Sequence, residues 1–274
     1  MALIAMTREM GSLGMDVARI LEAELGVPLV YHEIIDNLAD KMRLRKSHVI
    51  RLLEGKASLF EKLTADKTSL SIFTAGEILE TASKGAVLRG WGASHLLRSV
   101  THAIRVRVCA PLEVRAERMQ ERLQTADRDA VIAEIKINDE SQGAIAKRHF
   151  GVDWMQPENY DLSLNTERMS VEQCAEAILR LAREPRFAET EASRRTLADI
   201  TLRSMVIAAL RGDEATRSLE FPVEVNNGEI IFQGVVATPE DRQSAERVAG
   251  GVPGSGKVVN NLRVISQMRR QLME

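Results

Sequence analysis

Two short stretches carry residues of the kind that could hold a phosphate. Near the start, "TREMGSLGMD" brings Arg8, Glu9, Gly11, Ser12, Gly14 and Asp16 into one turn-sized segment. Near the end, "GVPGSGKV" over 251–258 almost spells G-x-x-x-x-G-K-[ST], in which glycines let backbone N–H groups reach an anion and lysine adds charge. Such a loop needs a strand before it and a helix directly after it. The helix N-terminus then turns unpaired N–H groups and the positive end of its dipole toward the phosphates. "GVPGSGKV" has the reverse order, with helical "AERVAG" before it and strand-like "VVNNLRVI" after it, and Val258 stands where Ser or Thr should be. It reads as a helix-to-strand turn. "TREMGSLGMD" has the right neighbours, strand "ALIAM" and helical "MDVARILEAELG", yet it holds no lysine. From spacing alone, Gly11 and Gly14 fit a phosphate-binding turn and a plain strand-to-helix turn equally well.

The elements around these turns follow from apolar periodicity. Val17, Ile20, Leu21 and Leu25 predict a helix over 15–25 that stops at Gly26 and Pro28. Residues 33–84 read as polar and helical, with amphipathic spacing at Ile34, Ile35, Leu38, Val49, Ile50, Leu52 and Leu53. "GAVLRG", "AIRVRVCAP" and "YDLSLNT" predict strands. Between them lie helical "ASHLLRS", a helix opened by Pro111, and a charged helical stretch over 125–150. Ser170 is expected to cap "VEQCAEAILRLARE". Strands alternating with helices predict a mostly parallel sheet covered on both faces.

Polar "EPRFAETEASRR" over 184–195 marks the boundary, with a linker placed at 186–196 after a first domain over 1–185. Beyond it, Asp199 is expected to cap "ITLRSMVIAALRG". "FPVEV", Asn226-Asn227-Gly228 and "EIIFQGVV" predict a hairpin, Thr238 caps a further helix, and "KVVNNLRVI" is a final strand. This αββαβ order predicts a small α+β domain over 197–266, with a tail over 267–274.

Across 274 residues, 45% hydrophobic and 4% aromatic content predicts aliphatic cores. A net charge of −2 argues against nucleic acid as a partner and predicts weak or no membrane contact. Cys109 and Cys174 lie in apolar runs without metal-ligand spacing and read as buried free thiols. The five histidines, His32, His48, His95, His102 and His149, show no paired ligand spacing. No signal-like start and no long apolar run is seen, so a cytoplasmic, soluble chain is expected.

The opening segment "MTREMGSLGMDVARILEAELGVPL" resembles the cytidylate kinase-like family, a branch of the P-loop nucleoside monophosphate kinases. "EIIDNLA", "AVLRGWGA", "VCAPLEVRAERM" and "YDLSLNT" extend the likeness over roughly 1–185. Residues 197–265 resemble a BON domain, and "GVPGSGKV" is then its glycine corner. The resemblance implies an α/β fold: a P-loop kinase-like parallel sheet flanked by helices, plus a small α+β BON-like domain. It also implies ATP and Mg²⁺ as cofactors and a nucleotide, CMP or ATP, as ligand. The BON part implies a ligand, membrane or protein partner, and a homodimer stays open.

Mapped onto this chain, Arg8, Glu9, Gly11, Ser12, Leu13, Gly14 and Met15 form the implied nucleotide-binding loop. Arg8, Asp16, Arg115 and Arg118 take the implied catalytic positions, and Asp16 is the implied metal ligand. Several family positions are changed. Leu13 replaces a glycine, Met15 and Trp91 replace arginines, and Gln142 stands at an expected lid arginine. Arg98, Lys147 and Arg148 are the nearby cations that could stand in, while Arg89, next to Trp91 along a strand, is expected to point to the opposite face. Asp161, Asn165 and Thr166 match the family and are expected to end a strand and cap a helix. Because phosphoryl transfer rests on positioning and positive charge, the losses predict a degenerate kinase-like sensor or scaffold. The alternative is an active CMP-type kinase localised or regulated by its BON domain.

Overall fold

The computed structural model describes residues 2–30, 67–90 and 92–265. The expected helices within 31–66, the substitution at Trp91 and the tail over 267–274 lie outside the described residues.

Strands β1 (Leu3–Arg8), β2 (Leu29–Val30), β3 (Ala86–Arg89), β4 (Ala103–Cys109) and β5 (Leu162–Asn165) form one sheet, in the order β2-β3-β1-β4-β5. Every pairing in it is parallel. The helices between them are α1 (Gly14–Leu25), α2 (Lys67–Ala82), α3 (Ala93–Leu96), α4 (Leu112–Leu123), α5 (Arg128–Phe150) and α6 (Val171–Ala182). "ALIAM" is apolar throughout because both faces of β1 are covered. Leu3 and Ala5 join one core with Ile78, Leu79 and Leu97, while Ile4 and Met6 join the opposite core with Val17, Leu21 and Ile178. With β3 on one side of β1 and β4 on the other, the turn after β1 opens at the carboxyl edge where the connections diverge, the usual ligand position in such sheets.

Helix α7 (Glu191–Gly212) leads into a three-stranded sheet of β6 (Val223–Asn226), β7 (Glu229–Val236) and β8 (Val258–Val264), with α8 (Pro239–Gly250) before β8. The hairpin turn has positive φ at both Asn227 and Gly228, as the Asn-Gly pair predicts. Capping boxes at Ser170 and Thr238 start α6 and α8 as expected.

Asp199 does not cap α7. The helix starts eight residues earlier than 199, at Glu191, because Thr190 and Ser193 form a capping box there. The Asp199 carboxylate instead accepts hydrogen bonds from the amides of Asn227 (2.8 Å) and Gly228 (2.9 Å), fixing the hairpin turn. One helix therefore feeds two cores. Leu197 packs with Ile78 and Leu79, and Leu202, Val206 and Leu210 pack with Ile230, Phe232 and Leu262.

His102, just before β4, ties the large sheet to the start of α7. Its Nδ1 lies 2.7 Å from the Ser193 hydroxyl and the residue is 2% exposed. Burial holds the imidazole pKa below its ordinary value, against an opposing pull from Glu189. The unfolded chain then binds a proton that the folded chain refuses, so this contribution to stability is complete above about pH 6.5 and is lost as pH falls through the folded pKa. Urea midpoints at pH 7.5 and pH 5 should differ less in His102→Gln than in the wild type. An equal drop in both would show that His102 does not set this dependence.

Candidate functional site

Between β1 and α1, residues 9–13 turn the chain sharply. Gly11 has φ +79° and Leu13 has φ +58°. The Ser12 amide donates to the Glu9 carbonyl (3.2 Å), and the Asp16 and Val17 amides donate to Leu13 (3.0 and 3.2 Å). The amides of Gly11, Leu13, Gly14 and Met15 meet no acceptor among the described residues. Four unpaired donors at the mouth of a twelve-residue helix form an anion nest. Ser12 is fully buried and its hydroxyl also lacks a partner among the described residues. Gly14 is required because a Cβ there would lie 2.7 Å from the Arg8 Cβ. Leu13 holds a left-handed conformation, which costs an L-residue roughly 1–2 kcal/mol, at the position where the family resemblance expects glycine.

Beneath the nest lies a buried cluster of charges. Glu9, 4% exposed, pairs with Arg107 Nη2 (2.5 Å), accepts from the Ala110 amide (3.2 Å) and faces Arg115 Nε (3.5 Å). Arg115 also pairs with Asp139 (2.9 Å) and donates to the Met10 carbonyl (3.4 Å). Burial raises the Asp139 pKa in spite of the hydrogen bond from Arg115. Arg118 donates to the Thr166 hydroxyl (2.9 Å) and carbonyl (2.7 Å), and that hydroxyl donates to the Ser12 carbonyl (3.0 Å).

Of the residues singled out from sequence, Glu9, Gly11, Ser12, Leu13, Gly14 and Met15 thus form the turn, with Arg8 at its base. Arg115 and Arg118 approach it from behind, held by protein partners. Asp16 stands to the side, 3.5 Å from Arg19 and about half exposed. Lys147 and Arg148 are exposed. Thr166 caps no helix, since Ser170 starts α6; it braces the turn instead. Cys109 is half-buried and Cys174 buried. Arg107 was not singled out, although "AIRVRVC" contains a signal for it. Charges alternating with valine in a central strand need buried partners, and Arg105 and Arg107 find them in Asp161 (2.7 Å) and Glu9.

A second feature flanks the sheet edge. Gly90 (φ +81°) and Gly92 (φ +75°) lie on either side of residue 91, which is outside the described residues. Together with Thr7, His95, Phe150 and Trp154 they enclose a space of about 30 Å³. The Phe150 ring lies directly on Gly92, where a built Cβ would be 2.1 Å from it, and sits 5.5 Å from the His95 ring. Burial, followed by the charges of Arg105 and Arg98, lowers the His95 pKa.

At the far end, "GVPGSGKV" runs from the end of α8 into β8. Its Gly256 amide bonds the Gly228 carbonyl (3.1 Å), and Lys257 pairs with Glu229 (3.3 Å), so its lysine faces a neighbouring strand and not a nest.

A five-stranded parallel sheet, a glycine turn after its central strand and a helix opening from that turn define an α/β protein of the P-loop kinase type. The chain belongs to the cytidylate kinase-like family, whose model matches residues 3–168, and residues 198–266 match the BON domain. It is 27% identical over 157 residues to a cytidylate kinase of Methanothermobacter thermautotrophicus, covering 57% of this chain and 89% of that one. It is 28% identical over 170 residues to a cytidylate kinase of Sulfolobus acidocaldarius, covering 62% and 87%. A crystal structure of an uncharacterized protein from Eubacterium ventriosum shares the fold, with a TM-score of 0.51 at 19% identity, over 66% of this chain and 98% of that one. No described helix is long and apolar enough to cross a membrane.

Proposed function

We propose that the 9–15 turn binds the phosphates of a nucleotide and that the chain acts as a nucleotide-responsive sensor or scaffold with weak or lost phosphoryl transfer. Its BON domain would engage a ligand or protein partner, in a cytoplasmic setting with little membrane contact. One observation carries this reading. Arg115 and Arg118, the cations expected to neutralise a transferring phosphoryl group, are committed to Glu9, Asp139 and Thr166. Charge stabilisation is most of what an enzyme contributes to this chemistry, while four free amides suffice for binding. The free amides and the orphaned Ser12 hydroxyl suit a phosphate group. Asp16 suits Mg²⁺ only as one ligand beside phosphate oxygens and water. Among the described residues no three metal-binding side chains gather. The division into 1–185, a connector over 186–196 and 197–266 is part of the same proposal.

The second reading, an active CMP-type kinase, is favoured by the intact amide nest. Calorimetric titration with ATP, ADP and CMP, with and without Mg²⁺, and a coupled ADP-release assay over CMP, dCMP, UMP and AMP separate the two. We expect ATP or ADP to bind and ADP release to stay at background. Turnover with any acceptor that Arg8→Ala abolishes would establish the kinase instead.

A further inference from the structure

We propose that Arg115 and Arg118 serve the anion nest from behind, through its peptide bonds. Each places positive charge at the carbonyl end of a peptide unit whose N–H group is a free nest donor, and Thr166 relays the second. The proposal rests on the phosphate-binding reading of the 9–15 turn and adds the positioning residues that make its amides strong donors.

A trans peptide holds its C=O and N–H antiparallel in one plane, and no described peptide is cis. Whatever approaches the carbonyl oxygen therefore lies on the far side from the N–H of the same unit. The Met10–Gly11 unit ends in the Gly11 amide, unpaired among the described residues, and its Met10 oxygen accepts from Arg115 Nη1 (3.4 Å). The Ser12–Leu13 unit ends in the Leu13 amide, likewise unpaired, and its Ser12 oxygen accepts from the Thr166 hydroxyl (3.0 Å). That hydroxyl accepts in turn from Arg118 Nη1 (2.9 Å). The Leu13–Gly14 unit differs, since its carbonyl meets the neutral amides of Asp16 and Val17. Two of the four nest donors are thus backed by a guanidinium.

A donor on a carbonyl oxygen draws electron density along the amide and leaves its N–H more positive. Hydrogen bonds chained in this way strengthen one another by about 10–30% each, and a charged donor makes the first link roughly twice as strong. Burial keeps water from screening the effect, with Thr166 only 2% and Arg115 only 6% exposed. Thr166 has one hydroxyl proton, and Ser12 is its nearer acceptor. The Cys109 oxygen is 3.4 Å away and already accepts the Thr166 amide (2.9 Å). A second bond from Arg118 to the Thr166 carbonyl (2.7 Å) keeps the guanidinium in place. Asp139 sets the strength of the other relay. Its carboxylate takes Arg115 Nη1 (3.2 Å) and Nη2 (2.9 Å) and so offsets the charge behind Met10, while Glu9 faces Arg115 Nε and is itself paired with Arg107. A field fixed in this way holds a bound phosphate equally well before and during transfer, which favours binding and not catalysis.

Amide proton shifts in the ligand-free full chain read the polarisation directly. Thr166→Val removes the hydroxyl at nearly constant volume, so the Leu13 amide proton should move upfield while Gly11 stays in place. Thr166→Ser should restore it. Asp139→Asn leaves Arg115 less compensated and should move the Gly11 amide proton downfield. ADP binding, read by calorimetry, should follow. Thr166→Val should bind about fivefold more weakly, the size of one hydrogen bond, and Thr166→Ser like the wild type. Asp139→Asn should bind about threefold more tightly, although urea unfolding finds it less stable. A merely structural role would lower stability and affinity together in both. Unmoved Leu13 and Gly11 amides, or an Asp139→Asn variant that binds ADP more weakly, overturn the proposal. No ADP binding by the wild type, with both amide shifts as stated, would sink the nucleotide reading and leave the relays standing.

Discussion

Glu9→Ala should lower the stability of the protein by about 3–5 kcal/mol, the range for removing one partner from a buried ion pair. The Glu9 carboxylate is what allows two arginines to sit under the turn, with side chains only 12% and 8% exposed. Without it, Arg115 keeps Asp139, but among the described residues Arg107 retains only the Met155 carbonyl and the face of Trp154, 5.7 Å away. The Ala110 amide also loses its acceptor. Glu9→Gln should fall between, because it keeps a hydrogen-bond acceptor and removes the charge.

Urea unfolding at pH 7 gives the measurement, and a paired variant tests the cause. If the penalty is an orphaned guanidinium, Glu9→Leu combined with Arg107→Met should recover much of the loss, since apolar replacement of a buried pair is often neutral. A Glu9→Ala loss below about 1 kcal/mol, the size of an exposed pair, would mean that the arginines regain water and that the cluster is only a surface network.

Much of the fold was legible because its determinants are local. Five apolar residues in "ALIAM", the Asn227-Gly228 corner, and Ser170 and Thr238 ahead of their helices each specify structure through near neighbours. The glycine turn was legible for the same reason. The residues that were misjudged have their partners far along the chain. Asp199 looked like a cap because nothing nearby shows that its carboxylate reaches the hairpin turn 28 residues on. Arg107 meets Glu9 across 98 positions, and Phe150 meets Gly92 only through the packing of α5. Charge lost at Met15 was readable in sequence. That Arg115 and Arg118 are occupied from behind is a property of packing alone.

Gly11→Ala is expected to cost about 2–5 kcal/mol, the sum of a left-handed alanine and a steric overlap, and to weaken ADP binding together with stability. At Gly11 a Cβ would lie 2.8 Å from the Arg115 carbonyl oxygen and 3.1 Å from the Arg115 Cβ. The near atom is backbone in the first turn of α4, whose Arg115 amide is already bonded to Pro111 (3.0 Å) and whose side chain is held by Glu9 and Asp139. That segment cannot retreat without breaking the ion cluster, so the turn must shift outward and carry its free amides with it. Gly26→Ala is the matched control. Its φ of +62° imposes a similar backbone cost, but nothing lies within 4 Å of the added methyl. It should lose about 1 kcal/mol and bind ADP like the wild type. The difference between the two variants isolates the close approach of turn and α4. If Gly11→Ala unfolds at the same urea concentration as Gly26→Ala, the turn yields freely, and the rigid seating of the amide nest on the Glu9 cluster is wrong.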